Sequence, residues 1–190
     1  MNAALPRLET ERLVLSVPER GDYLLLRDLV ADPQVHRFLG PRPDDPTTDM
    51  FARALRAAGS WQLYGYGMFL AHERVSGAFV GQLGVFHSLR GIGKGLDDVP
   101  EAGWILAQVH WGKGYALEAM RAVLEWFDVV QAELGRAESG QEEGRIACMI
   151  ERGNDASFAL AAKLGFVRYD QEIMPDGAIV DLLERISAGA

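Results

Sequence analysis

A chain of 190 residues with 48% hydrophobic and 24% charged residues is long enough to bury a core without a staple, and its composition is that of a soluble globular domain. No apolar run approaches the roughly 18 residues of a membrane span, Met1 to Glu11 has no basic patch followed by an apolar stretch, and the lone Cys148 excludes an internal disulfide, so one cytoplasmic domain over 1–190 is expected. The net charge of −8, from 27 acidic and 19 basic residues, argues against nucleic acid binding through a broad basic face and suits an amine or cationic partner better.

Arg12 to Val17 alternates Leu13, Leu15 and Val17 with other residues, the period of a strand. Asp22 is placed to cap a helix carrying Leu25, Leu26, Leu29 and Val30, which Asp32-Pro33 ends. Pro41 to Pro46 predicts a loop, after which Thr47 or Thr48 opens a second helix with Phe51, Leu55 and Ala58 on one side and Gly59 as its stop. Tyr66 to Glu73 and Phe79 to His87 predict an antiparallel hairpin around Val75-Ser76-Gly77.

Ser88 to Pro100 is polar and Gly-rich, and its Gly91 to Gly95 run, followed by acidic residues, predicts a mobile loop. Ala102 to Val109 predicts a strand that runs into Gly112-Lys113-Gly114 and then a long helix with Ala116, Met120, Val123, Phe127, Val130 and Leu134 on its packed stripe. Gly135 to Gly144 predicts a charged loop, and Arg145 to Glu151 a strand that buries Cys148. Asn154 caps a short helix ending at Gly165, and Phe166 to Glu172 pairs with Ala178 to Glu184 around Pro175-Asp176-Gly177. The element order is β-α-α-β-β-β-α-β-α-β-β.

The most informative point is Trp111-Gly112-Lys113-Gly114-Tyr115-Ala116. A strand that delivers a Gly-Lys-Gly turn into a helix presents unpaired N–H groups and the positive end of the helix dipole to an anion, and a diphosphate fits. Taken alone the turn is a weak signal, because glycine also serves simply to make a corner. Neither this run nor Gly91 to Gly95 fits a P-loop, since neither Lys is followed by Ser or Thr. A phosphotransferase is therefore the last-ranked reading.

These residues in this order resemble the GNAT superfamily of N-acetyltransferases, in the branch of the ribosomal-protein-alanine (Rim-type) enzymes. The resemblance covers Leu8 to about Leu183 and rests on three segments: Leu8 to Leu15, the Trp111 to Ala116 turn with Glu118-Ala119 behind it, and Asn154-Asp155-Ala156-Ser157 with Lys163-Leu164-Gly165-Phe166. It implies an α/β (α+β) fold, a central mostly antiparallel twisted sheet of about seven strands, splayed at the CoA site and flanked by about four helices. It also implies acetyl-CoA as co-substrate with no metal, and direct transfer of the acetyl group to a primary amine on a protein N-terminus or a small molecule. The oligomeric state, a homodimer included, is left open.

Residue by residue, the resemblance implies that Trp111, Gly112, Lys113, Gly114, Tyr115 and Ala116 bind the CoA diphosphate, through backbone amides above all. Ile105 and Leu106 would pair their backbone with the pantetheine, Asn154 would bond the pantetheine arm or the acetyl region, and Ser157 would lie near the sulfur. Asn154 is equally an ordinary helix cap and Ser157 an ordinary first-turn residue. The chain departs from the superfamily at Trp111, where many members carry Arg or Gln, at Ala161, where many carry a tyrosine acid, and at Tyr169, where the branch often has an acidic residue.

Acetyl transfer needs an unprotonated amine, and alkyl amines titrate near ~10. Glu101 matches an acidic position of the branch and is the first candidate base, against the reading that it is a solvated charge at a strand end; His87, His110 and water are the others. Polarisation of the thioester carbonyl falls to a backbone N–H of the strand before the turn. Because the departure at Ala161 removes the tyrosine acid, a non-catalytic acyl-CoA sensor of the same fold is the alternative of a different class.

Overall fold

The computed structural model describes residues 5–133 and 144–186. The opening run forms two strands, β1 (Arg7–Glu9) and β2 (Leu13–Ser16), followed by the helices α1 (Tyr23–Ala31), α2 (Pro33–His36) and α3 (Pro46–Tyr64). Then come β3 (Met68–Glu73), β4 (Phe79–Leu89), β5 (Asp97–Leu106), a 3-10 turn at Gln108–His110, and α4 (Tyr115–Glu133). The chain closes with β6 (Arg145–Glu151), α5 (Asp155–Lys163), β7 (Val167–Ile173) and β8 (Ile179–Ile186).

The strands form one sheet in the order β1-β2-β3-β4-β5-β6-β8-β7. Eight strands stand where about seven were expected, because the opening run turns back on itself: Thr10 N–H donates to Leu13 C=O at 2.9 Å, and β1 pairs antiparallel with β2. Among the described residues only β5 and β6 are parallel. A parallel pair needs a crossover, and α4 supplies it.

The β5–β6 pairing is confined to one position, Glu101 opposite Ala147. Beyond it β5 runs on to Leu106 and β6 to Glu151 without further registered partners between them, whereas β5 stays paired to β4 along its whole length. The sheet therefore splays open between the two carboxyl ends, in front of the α4 N-terminus. In open α/β sheets that place, outside the carboxyl ends of strands where the order switches, is where ligands bind.

The main core lies between the sheet and α4. Ala119, Met120, Val123, Leu124 and Phe127 of α4 are buried against Leu13, Leu15, Leu83, Val85, Ala102 and Ile146. Each fully buried large side chain contributes roughly 1.5–3 kcal/mol relative to exposure. Of the expected stripe, Met120, Val123 and Phe127 are deep, Ala116 and Val130 are half-buried, and Leu134 lies outside the described residues. The expected 135–144 loop is outside them too, save for Gly144. On the opposite face Leu26, Leu29, Val35 and Met50 of the first three helices cover Leu70.

Several local expectations are corrected. The α3 helix begins at Pro46, capped by Asp45, whose carboxylate accepts from Thr47 and Thr48 N–H; it runs through Gly59 and stops at Gly65, whose φ of +74° is the left-handed cap conformation. Phe51 and Leu55 face outward, and Met50, Ser60 and Trp61 are the buried residues. Asp22 stands at the start of α1 without capping it, because its carboxylate accepts Glu19 N–H instead.

The 88–100 segment is not a free loop. Ser88 and Leu89 complete β4, β5 starts at Asp97, and Asp97 accepts the N–H groups of Arg90, Gly91 and Gly93 at 2.6–2.7 Å. Those amides, Gly93 first, hold the Asp97 carboxyl below its usual range. Lys94 then bonds Glu172 at 2.8 Å and Gln171 C=O at 2.7 Å, which docks the loop on β7.

Candidate active site

The turn at the head of the splay is braced from the amino-terminal hairpin. Glu118 in the first turn of α4 accepts Thr10 Oγ–H at 2.6 Å, Arg12 N–H at 2.8 Å and Arg12 Nε–H at 2.6 Å. Arg12 also donates to Lys113 C=O at 2.9 Å and lies over the Tyr115 ring. Burial pushes the Glu118 carboxyl up, but the bonds from Thr10 and Arg12 outweigh it and hold the group below its usual range. Tyr115 is tied down at its other end, where its hydroxyl donates to Glu73 at 2.7 Å.

Gly112 and Gly114 stand at φ +72° and +80°, conformations that side chains with a Cβ adopt at a cost. A Cβ on Gly112 would meet nothing within 4 Å and one on Gly114 only the Arg12 guanidinium at 3.5 Å, so the turn faces open space. The Glu118 N–H bonds Gly114 C=O at 3.1 Å, so the amides ahead of it precede the helical ladder. Open space, leading amides and two glycines are what a diphosphate requires.

Along the splay, Leu106 is buried and its C=O already accepts Trp111 Nε1–H at 2.8 Å, while Ile105 packs toward the α1 side. One acceptor position of Leu106 C=O is thereby filled, and its N–H is the donor it can offer a guest. Asn154 Oδ1 accepts Ser157 N–H at 3.2 Å, so its oxygen is the α5 cap and its NH2 group is the donor it can offer a ligand. Ser157 Oγ accepts the Trp104 indole N–H at 3.1 Å, a contact from β5 to α5 that spans the splay.

Glu101 is 3% exposed, not a solvated strand-end charge. Both its oxygens are held by Arg90, at 2.5 and 2.7 Å. A bidentate pair of this kind is strong and geometrically specific, and it fills one acceptor position on each oxygen, so an amine proton has to compete with Arg90 for this carboxylate. His87 is also engaged: Tyr66 Oη lies 2.8 Å from its Nδ1 and Asp98 Oδ1 2.8 Å from its Nε2, and Tyr64 stacks on it. It pairs with Pro100, on the far side of the apex from the splay. His110 is buried ahead of the turn, its Nδ1 3.7 Å from Glu73.

Ala161, where many members of the superfamily carry a tyrosine acid, is fully buried in the main core. Burial pushes the Cys148 thiol up, so it is no nucleophile. At the outer end of the splay Glu151 closes β6, its carboxyl pushed up by burial first and then by the charge of Asp176. Phe38 lies against Gly153 beside it. Among the described residues no group of His, Cys, Asp and Glu is arranged to hold a metal, and no helix is long and apolar enough to cross a membrane.

Two features were missed at the sequence level. The Thr10 and Arg12 brace had a signal, a polar pair inside an apolar alternation, but its partner Glu118 is 106 residues from Arg12. Trp104 carried none, since an aromatic in a strand is ordinary core.

The GNAT acetyltransferase domain family matches residues 12–167. This chain belongs to that family. A protein from Bordetella pertussis described as a GnaT-family acetyltransferase is 32% identical, with 94% of this chain and 98% of that one covered and a TM-score of 0.77. The Bacillus subtilis protein YkkB, itself uncharacterised, is 29% identical over 98% of this chain and 99% of its own length. The ribosomal-protein-S5-alanine acetyltransferase of Vibrio fischeri, at 17% identity, TM-score 0.70 and coverage of 97% and 99%, shares the fold. The GNAT domain is that of an N-acetyltransferase, and the family uses acetyl-CoA. The expected fold is the one observed, a mostly antiparallel sheet splayed beside the turn.

Proposed function

We propose that this GNAT protein is a single N-acetyltransferase domain that transfers the acetyl group of acetyl-CoA directly to a primary amine, with both substrates bound at once. The observation that carries this reading is the splay between β5 and β6 opening onto the braced Gly112 to Gly114 turn. The turn from Trp111 to Ala116 holds the diphosphate through its leading amides, with Lys113 adding charge. The Leu106 N–H and the β5 backbone beside it at Ile105 line the pantetheine, and the Asn154 NH2 group donates to it. Ser157 lies beside the sulfur.

A β5 N–H facing the splay polarises the thioester carbonyl, where a donor preset against developing negative charge acts most strongly. Proton removal is assigned to water at the open end, since Arg90 occupies Glu101 and the His87 pair lies behind the apex. Acetyl-CoA supplies a good leaving group, because a thiol titrates near ~8.5, so a strong acid in place of Ala161 is unnecessary.

The acceptor is read as a protein N-terminus, in line with the Rim-type resemblance of Leu8 to Leu15 and the late helix; the negative charge of −8 suits any cationic amine equally. The test is CoA release from acetyl-CoA with an alanine-initiated peptide, spermidine and an aminoglycoside. Release with the peptide above the others supports the reading. The second reading, a non-turnover acyl-CoA sensor, is favoured by the buried Ala161 and the occupied Glu101; it predicts acetyl-CoA binding with no release for any amine.

A further inference from the structure

Trp104 lies three residues past Glu101, the single position at which β5 meets β6. Its ring packs on the main core, and its indole N–H reaches across to Ser157 Oγ at 3.1 Å. Both side chains are half-buried. Any arm that runs through the splay toward Asn154 passes this bond.

A serine hydroxyl has one proton and two acceptor positions. Here Trp104 fills one acceptor position, and among the described residues no oxygen or nitrogen takes the Ser157 hydroxyl proton. Asn154 Oδ1 accepts the Ser157 N–H and not the hydroxyl. The indole N–H repels the hydroxyl proton, which therefore points away from Trp104, and a hydroxyl whose oxygen accepts one bond donates a stronger one.

We propose that Trp104 is a positioning residue for Ser157: it anchors the serine oxygen so that the hydroxyl proton is aimed at the sulfur of CoA. This rests on the reading that the CoA arm occupies the splay. In the transfer, the amine lone pair forms the C–N bond at the thioester carbonyl carbon, the C–S bond breaks, its electron pair stays on sulfur, and the amine proton leaves to water. Ser157 donates a hydrogen bond to the resulting thiolate and keeps its own proton, because an alcohol is a far weaker acid than a thiol. Charge-assisted bonds to thiolate lower the thiol pKa, as they do for reactive cysteines.

The test needs no acceptor. The ultraviolet absorbance of the thiolate is titrated for CoA bound to the wild type, to Trp104→Phe, to Ser157→Ala and to the double variant. Phenylalanine keeps the ring and its packing but lacks the N–H. Each single variant is expected to hold about tenfold less thiolate at a given pH than the wild type, and the double variant no less than Ser157→Ala, with CoA affinity changed less than about threefold. Thermal melts of all four proteins establish that each is folded; if Trp104→Phe does not fold, Trp104→His, which keeps a ring N–H, is expected to titrate near the wild type. Identical thiolate titrations in wild type and Trp104→Phe, or additive effects in the double variant, overturn the inference while leaving CoA binding intact. Failure of the wild type to bind CoA overturns instead the reading beneath it.

Discussion

Replacement of Glu118 by Gln isolates the brace that sets the turn. Glu118 accepts three hydrogen bonds, two of them from Arg12, with its side chain 18% exposed and that of Arg12 43% exposed. Bonds to a charged group are worth roughly 1.5–3 kcal/mol when buried, and exposed ion pairs well under ~1 kcal/mol. Glutamine retains an acceptor for Thr10 but turns donors toward Arg12. With the discount for exposure, the loss is about 1–2 kcal/mol, and a chain of this size melts roughly 2–8 °C lower.

The pH dependence has a definite sign. The folded Glu118 carboxyl lies below its ordinary value of 4.5, so its contribution is full above that value and is lost as the pH falls through the lower folded value. Urea unfolding followed by circular dichroism should give a constant gap between wild type and variant from pH 7 to about pH 5, closing toward pH 3. Acetyl-CoA affinity should drop as well, because Arg12 no longer pins Lys113 C=O. An unchanged midpoint at pH 7, or a gap undiminished at pH 3, would refute the reasoning.

Three further outcomes follow from the site. Glu101→Gln removes the charge partner of Arg90, whose side chain is 33% exposed, so with the discount for that exposure stability should fall by about 1–2 kcal/mol, with turnover reduced less than about threefold once folding is restored at low temperature; a hundredfold loss of turnover would return Glu101 to the role of base. Asn154→Asp keeps a good cap but removes the NH2 donor; melting should be unchanged while acetyl-CoA affinity, measured by calorimetry, weakens about tenfold, and equal affinities would reduce Asn154 to a cap. Asp97→Asn should loosen the 90–97 loop and lower the melting temperature without changing acetyl-CoA affinity, since this loop docks on β7 away from the splay; an affinity loss would place the loop in the site.

The order of elements was legible because strand and helix periods are local, and the turn was legible because glycines before a helix have few uses. What resisted reading were features decided by side-chain partners that no periodicity marks. Gly59 looks like a stop, but tertiary packing of Trp61 against Phe69 and Trp126 carries α3 one turn further. Phe51 and Leu55 keep the right spacing for a buried stripe, yet Met50 and Trp61 are the residues the sheet selects. The Gly91 to Gly95 run lacks any apolar period except Ile92, so the Asp97 carboxylate that orders it was invisible as an organising group. At the site, residue types were foreseen better than their occupations: Glu101 and His87 both exist where acid-base chemistry would want them in sequence, and both are spent on neighbours contributed by other segments.

Acetyl-CoA titration of Gly114→Val by calorimetry, beside wild type and Gly165→Val, tests the central claim directly. Both glycines hold positive φ, +80° and +85°, with no backbone close by, so the two variants carry a similar backbone strain of about 1–2 kcal/mol. Only Gly114 lies in the turn assigned to the diphosphate. Wild type and Gly165→Val should bind acetyl-CoA alike and Gly114→Val at least about tenfold more weakly, a difference of roughly 1.4 kcal/mol or more; equal binding by all three proteins would contradict the assignment of the turn as the CoA site.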